Sequence, residues 1–215
     1  MIENRDTFFA RLQTLPWSAV LSEDEIDRIE LTYDLAKNAH RGQTRKDGER
    51  YFEHPRRATL TVLDDLVIVE ARVVMDALLH DTYEDCARYL KPSKIRIVSG
   101  PDVARDIRLL SKVPKEGSFD RLMLHAEWQP LVVKGCDRLD NLRGLAHMDD
   151  AFKLKQLRET SETYLPLFRR LTEYDAPMRY RPACEKLYNL LVQAYNATAI
   201  TIGVAAQPDF QGVVP

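Results

Sequence analysis

Apolar residues recur along this chain at helical spacing rather than in alternation. Ser22-Glu-Asp-Glu-Ile26 reads as an N-cap followed by an acidic first turn, and Ile26, Ile29, Leu31, Tyr33, Leu35 and Ala36 carry a helix towards His40. Residues 41–53, rich in Gly, Lys, Arg and Asp, predict a loop. His54-Pro55 restarts the helix, since proline suits the first turn, and Ala58, Leu60, Val62, Leu63 and Leu66 give it an apolar side. A third helix is expected from about residue 70 through His80 to 85. Pro92-Ser93 opens a short one, and Gly100-Pro101 punctuates before another over 102–110. A loop over 111–118 separates these from helices over 120–128 and 130–145, with Asp137 near the middle of the second. Two long amphipathic stretches follow, 150–174 and 182–199. The 203–215 tail has weak periodicity and is expected to be mobile. The β-branched run at 67–69 is too short for a strand, and no repeat or low-complexity tract stands out. The expectation is an all-α bundle of about eight to ten helices in one domain over 1–202.

Composition narrows the class without naming a chemistry. The 215 residues suffice for one domain with its own core, and 45% hydrophobic with 30% charged residues is ordinary for a soluble globular protein. A net charge of −2 argues against binding nucleic acid through bulk charge but leaves room for a local basic pocket. Cys86, Cys136 and Cys184 are odd in number and widely spaced, which suits reduced thiols better than a disulfide framework or a zinc ribbon. The N-terminus is acidic where a signal peptide needs basic residues. No apolar run approaches the ~20 residues of a membrane span. A cytoplasmic, non-membrane protein is expected.

The richest chemistry lies in Ala77-Leu-Leu-His-Asp-Thr-Tyr-Glu-Asp85. On a continuous helix, Glu84 would follow His80 by one turn and Asp85 would follow Asp81, gathering four ionisable groups on one patch. Holding an imidazole and three carboxylates beside the apolar run 73–79 is costly unless a metal or protons offset the charge. A lone His-Asp pair is, by default, a core histidine beside a surface acid. His54 is equally readable as a simple turn residue. Asp137, behind an apolar run with Asn141 one turn on, has either an arginine or a metal as its partner.

Taken in order, Ala39-His-Arg-Gly-Gln-Thr-Arg-Lys46, Tyr51-Phe-Glu-His-Pro55, Ala77-Leu-Leu-His-Asp-Thr-Tyr-Glu-Asp85 and Val133-Lys-Gly-Cys-Asp-Arg-Leu-Asp-Asn-Leu-Arg143 resemble the HD-domain metal-dependent phosphohydrolases. More narrowly, they look like the alarmone hydrolase domain of the RelA/SpoT family and its small single-domain relatives. Glu159-Thr-Ser-Glu-Thr-Tyr-Leu-Pro-Leu167 is a weaker match, and the resemblance covers about residues 30 to 170. It implies an HD-domain helical bundle with His54, His80, Asp81 and Asp137 as ligands of a divalent metal, usually Mn²⁺, though mixed nitrogen and oxygen donors also suit Zn²⁺, Fe²⁺ or Mg²⁺. It implies Glu84 and Asp85 as the acidic pair acting on the attacking water, and Arg45-Lys46 facing the diphosphates. Asn141 and Tyr164 are placed near ribose or phosphates and Lys112 near the phosphates. His40 becomes a buried structural residue beside the site.

The chain departs from the pattern at Gly135 and Cys136, where relatives usually carry Leu and Ala. His125 and His147 match no ligand position. The chain has no room for the synthetase and regulatory domains of long family members, so hydrolysis without synthesis is expected. The resemblance thus implies a Mn²⁺-dependent enzyme removing the 3′-diphosphate of (p)ppGpp. A (p)ppApp hydrolase partnered as antitoxin with an alarmone synthetase, or an NADPH 2′-phosphatase, would use the same motifs. A nucleotide-sensing module with a structural metal is the non-enzyme alternative. The partner in each case is a small purine nucleotide, and the oligomeric state is left open.

Overall fold

Capping and burial explain where the helices begin and which faces they hide. The computed structural model describes residues 4–46 and 48–208. Residues 209–215 of the expected mobile tail lie outside the described residues. Backbone packing divides the chain into two compact units, Met1–Val133 and Lys134–Pro215.

The first unit contains α1 (Arg5–Leu12), α2 (Trp17–Val20), α3 (Glu23–Ala39), α4 (Glu53–Leu60), α5 (Ala71–Leu79), α6 (Thr82–Asp85), α7 (Pro92–Ser99), α8 (Pro101–Leu110), α9 (Ser118–His125) and the start of α10 (Trp128–Arg143). Ser22 and Glu25 form the capping box that starts α3, as the sequence predicts. The buried face of α3 is Ile29, Thr32, Tyr33, Ala36 and Ala39, whereas Leu31 is 59% exposed and lies off the core stripe. Every residue of α5 except Arg72 is buried. This helix is the core of the unit and packs against α3, α4 and α8. Helical periodicity does not predict α1, yet Asn4 and Thr7 form a capping box there and Phe8 and Phe9 pack around Tyr33. Asn before Phe8 and Leu12 at one-turn spacing was the available signal.

Two carboxylates lie in this core. Asp76 on α5 and Asp106 on α8 are fully buried, and Arg72 donates from Nε to Asp106 at 2.7 Å. Neither oxygen of Asp76 meets a conventional donor among the described residues. A proton held between the two carboxyls satisfies the pair, because burial and then the charge of Asp106 push Asp76 well above the usual carboxylate range. A raised acid contributes stability below its ordinary range and loses it as pH climbs towards the raised value. Asp76→Asn keeps the shape and replaces the titrating proton with an amide donor. Its thermal midpoint, followed from about pH 5 to 9, is expected to fall less on the alkaline side than that of the wild type, with a gain of about 1–3 kcal/mol at the alkaline end.

The second unit contains the end of α10, α11 (Asp150–Glu159), α12 (Leu165–Arg170) and α13 (Arg181–Thr201). The helix predicted over 150–174 is one helical rod in which π turns at Thr160–Tyr164 and Leu171–Asp175 flank α12. Pro166 lacks the N–H that would reach back to residue 162, which accounts for the wide turn before it. Both α11 and α12 pack on α13. Gln207, past the end of α13, exchanges two hydrogen bonds of 2.9 and 2.7 Å with Asn196 on that helix.

The departure at Gly135 has a local cause in this unit. A Cβ there would lie 2.6 Å from Leu187 Cδ2 and 3.3 Å from Phe168 Cε1, so α10 approaches its neighbours where only hydrogen fits. Gly135→Ala is expected to cost about 1–3 kcal/mol by overpacking, read as a lower denaturation midpoint in urea.

The all-α class is borne out, with thirteen α-helices and no strand among the described residues. The number exceeds the expected eight to ten because α1 and α2 are added and the stretches predicted over 70–85 and 150–174 each divide. No helix among the described residues is long and apolar enough to cross a membrane.

Candidate metal centre

The helix expected to run unbroken to residue 85 stops at Leu79, and that break builds the site. His80 Nδ1 donates to the Ala77 carbonyl at 2.9 Å and Thr82 Oγ1 donates to the Leu79 carbonyl at 2.6 Å. These bonds satisfy terminal carbonyls of α5 and let the chain turn before α6. With Nδ1 committed as donor, His80 presents Nε2 inward. It meets Nε2 of His54, from the first turn of α4, at 3.1 Å. Both nitrogens lie 3.4 Å from Asp81 Oδ2. The two imidazoles are 2% and 3% exposed.

Two imidazole nitrogens and a carboxylate oxygen facing one point fit a divalent cation, which this donor set binds readily. Burial opposes ionisation of Asp81. The charge of His80 and hydrogen bonds from both imidazoles nonetheless hold its carboxyl well below its usual range. Its Oδ2 is therefore available to a cation as an anion.

Tyr51, for which the sequence reading names no role, supports this oxygen. Its hydroxyl lies 2.9 Å from Asp81 Oδ2 and 2.6 Å from Asp85 Oδ2. Burial, then the charge of Asp81, raises its phenol well above the ordinary value, so the proton stays to be shared. The ring stacks on His40 with centroids 4.8 Å apart. His40 is buried, its Nδ1 is 2.7 Å from Gln43 Oε1, and burial lowers its pKa, so the ring is neutral. Gln43 in turn donates from Nε2 to the Asp85 carbonyl at 3.1 Å. His40 is structural here, as expected. A hydroxylated aromatic three positions before His54 was the sequence signal for Tyr51. Tyr51→Phe is expected to weaken metal affinity by about 10- to 100-fold, measured by competition with a metallochromic chelator.

The acidic pair is divided. Asp85 joins the site through Tyr51, while Glu84 accepts the backbone N–H of Lys112 at 3.0 Å. The expected single patch of four ionisable groups on one helix face does not form, because the turn at His80 and Asp81 changes the register. The Lys112 side chain is exposed. Arg45 and Lys46 sit at the tip of a hairpin in which Arg45 N–H donates to the Glu49 carbonyl at 2.8 Å and Gly48 N–H to that of Arg45 at 3.0 Å. The ends of the hairpin carry Gln43 and Tyr51, paired by a 3.0 Å backbone bond.

In the second unit, Asp137 is 7% exposed on α10. Its oxygens accept from Lys134 Nζ at 2.8 Å and Asn141 Nδ2 at 2.5 Å, so a lysine is among its partners where the sequence suggested an arginine or a metal. Tyr164 is buried, with the Arg138 guanidinium 3.9 Å from its ring centroid. His125 and His147 are exposed.

A family model described as HD domain matches residues 32–172, and the chain belongs to the HD-domain family. Its curated relatives include the bifunctional (p)ppGpp synthase/hydrolase SpoT of Escherichia coli K12, 32% identical over 161 residues, which cover 70% of this chain and 23% of the relative. A guanosine-3′,5′-bis(diphosphate) 3′-pyrophosphohydrolase of Vibrio cholerae is 32% identical over 163 residues, again 70% of this chain and 23% of the relative. The chain thus spans less than a quarter of the length of these relatives. A solved structure reported as a metazoan ortholog of SpoT that hydrolyzes ppGpp is 19% identical, covers 83% of this chain and 88% of its own, and has a TM-score of 0.49.

Proposed function

We propose that this chain is a metal-dependent alarmone hydrolase that removes the 3′-diphosphate of (p)ppGpp, giving GDP or GTP and pyrophosphate. The observation that carries it is the convergence of His54 Nε2, His80 Nε2 and Asp81 Oδ2 on one point, with Asp85 joined through Tyr51. The names of the relatives supply the substrate class. His54, His80 and Asp81, with Asp137 as fourth ligand, would hold the ion, and Mn²⁺ is the ion proposed. A bound divalent ion supplies an acidified water and a polarised phosphoryl oxygen.

The side chains do the rest. Asp85, fixed by Tyr51, accepts the proton of the attacking water, with Glu84 as the second acid of the pair. Water oxygen bonds to the phosphorus attached at the ribose 3′-oxygen, the 3′ O–P bond breaks, and the 3′-oxygen leaves as a hydroxyl once protonated. Arg45 and Lys46 offset the charge of the diphosphate, joined by Lys112, while Asn141 and Tyr164 orient ribose and phosphate. The working unit in this reading is one hydrolase domain over residues 1–202, acting in the cytoplasm on a free purine nucleotide. An alarmone synthetase is its partner in the alternative reading, a (p)ppApp hydrolase acting as antitoxin.

Purified protein with Mn²⁺ is expected to release pyrophosphate from ppGpp. Pyrophosphate release from ppApp and orthophosphate release from NADPH, measured on the same preparation, tell the bases and the alternative phosphatase apart. No turnover of any of the three would sink the hydrolase reading.

A further inference from the structure

Behind the wall formed by His40 and Gln43 lies a cavity of about 480 Å³ whose described lining contains no Asp or Glu. It is lined instead by five cations, Arg5, Lys37, Arg41, Arg50 and Arg56, above the rings of Tyr33 and Phe52. Their charges are unevenly balanced. Arg5 bonds to Glu30 and Asp34, but Arg50 and Arg56 share the single carboxylate of Glu53. Lys37 and Arg41 form no ion pair among the described residues, and both are exposed. Arg56 is only 9% exposed, yet its Nε has no hydrogen-bond partner among the described residues. A buried, charged donor without an acceptor costs about 1–3 kcal/mol or more, so an anion that accepts from it is the expected complement.

We propose that this cavity is a second ligand site, separate from the metal centre, that binds a phosphate-bearing small molecule up to the size of a mononucleotide. Guanidinium groups match phosphate oxygens in charge and geometry, and the volume falls within the range of small-molecule sites. The aromatic floor suits a flat or apolar portion of the same ligand. The cavity shares His40 with the stack on Tyr51, which holds Asp81 and Asp85. Its occupant is therefore linked to Asp81 through the two stacked rings of His40 and Tyr51.

The test is calorimetric titration of inorganic pyrophosphate, and separately of 5′-GMP, into the full chain stripped of metal with EDTA. Stripping removes the cation that would hold pyrophosphate at the other centre. Saturable binding of at least one probe is expected, weakened about tenfold or more by the double variant Lys37→Glu with Arg41→Glu. Both positions are exposed, so the variant is expected to melt like the wild type. The charge-matched control Lys94→Glu with Arg96→Glu, on α7 outside the cavity, is expected to bind within about twofold of the wild type. The proposal is overturned if the wild type binds neither probe, if the cavity variant binds as tightly as the wild type, or if the control loses as much affinity as the cavity variant.

Discussion

His80→Ala is expected to empty the metal centre and to lower turnover of ppGpp by about a thousandfold or more. The imidazole does three jobs at once. It presents Nε2 to the point shared with His54 and Asp81, it ties the end of α5 through Ala77, and by that bond it fixes the direction in which Nε2 faces. Its loss removes one ligand outright and frees the end of α5, so the effect exceeds that of deleting a supporting group such as the Tyr51 hydroxyl. Metal content per chain after dialysis, read by elemental analysis, is the primary measurement, with circular dichroism confirming the helices. A variant that retains the wild-type metal load would remove His80 from the ligand set. Asp137→Ala is the companion test in the second unit: a lower metal content is expected, and an unchanged one would contradict its assignment.

Replacing the acidic pair, Glu84→Gln with Asp85→Asn, is expected to leave metal in place while turnover falls about 10²- to 10⁴-fold. Neither carboxylate belongs to the cluster of His54, His80 and Asp81, and both amides preserve size. The single variants are expected to differ. Asp85 shares the Tyr51 hydroxyl with Asp81, the proposed ligand, so Asp85→Asn should carry most of the loss. Glu84 accepts the Lys112 amide, and the carboxamide oxygen introduced by Glu84→Gln can still accept that bond, so this change should cost less. Pyrophosphate release and metal content measured on the same preparations separate catalysis from binding. Full turnover with full metal in the double variant would favour a structural metal in a sensing module.

Much of the fold was legible because helix signals are local. The Ser22 and Glu25 capping box, the proline punctuation at 92 and 101 and the long apolar faces of α3 and α13 all act within a few residues, and they placed those helices to within a residue or two. The misses were of two kinds. The first helix is short and anchors through the aromatic cluster at Tyr33, a contact across about two dozen positions that no local pattern reports. The break at His80 arises because side chains of His80 and Thr82 take over helix carbonyls, whereas helical periodicity alone favours continuing to residue 85.

The site divides in the same way. From sequence came the helical class and the four ordered motifs, and the family resemblance of those motifs named His54, His80, Asp81 and Asp137 as the proposed ligands, since motif order and donor chemistry are properties of the chain itself. Only tertiary structure decided that α4 and the end of α5 bring those donors to within 3.4 Å of one another, that Tyr51 holds Asp81 and Asp85 together, and that Glu84 turns instead to Lys112. The same is true of the cation-lined cavity behind His40, whose residues come from α1, α3, the hairpin and α4. The physical reason is that distance and burial are set by how helices pack. Packing depends on residues far apart in sequence, whereas donor chemistry and helix capping are written at single positions.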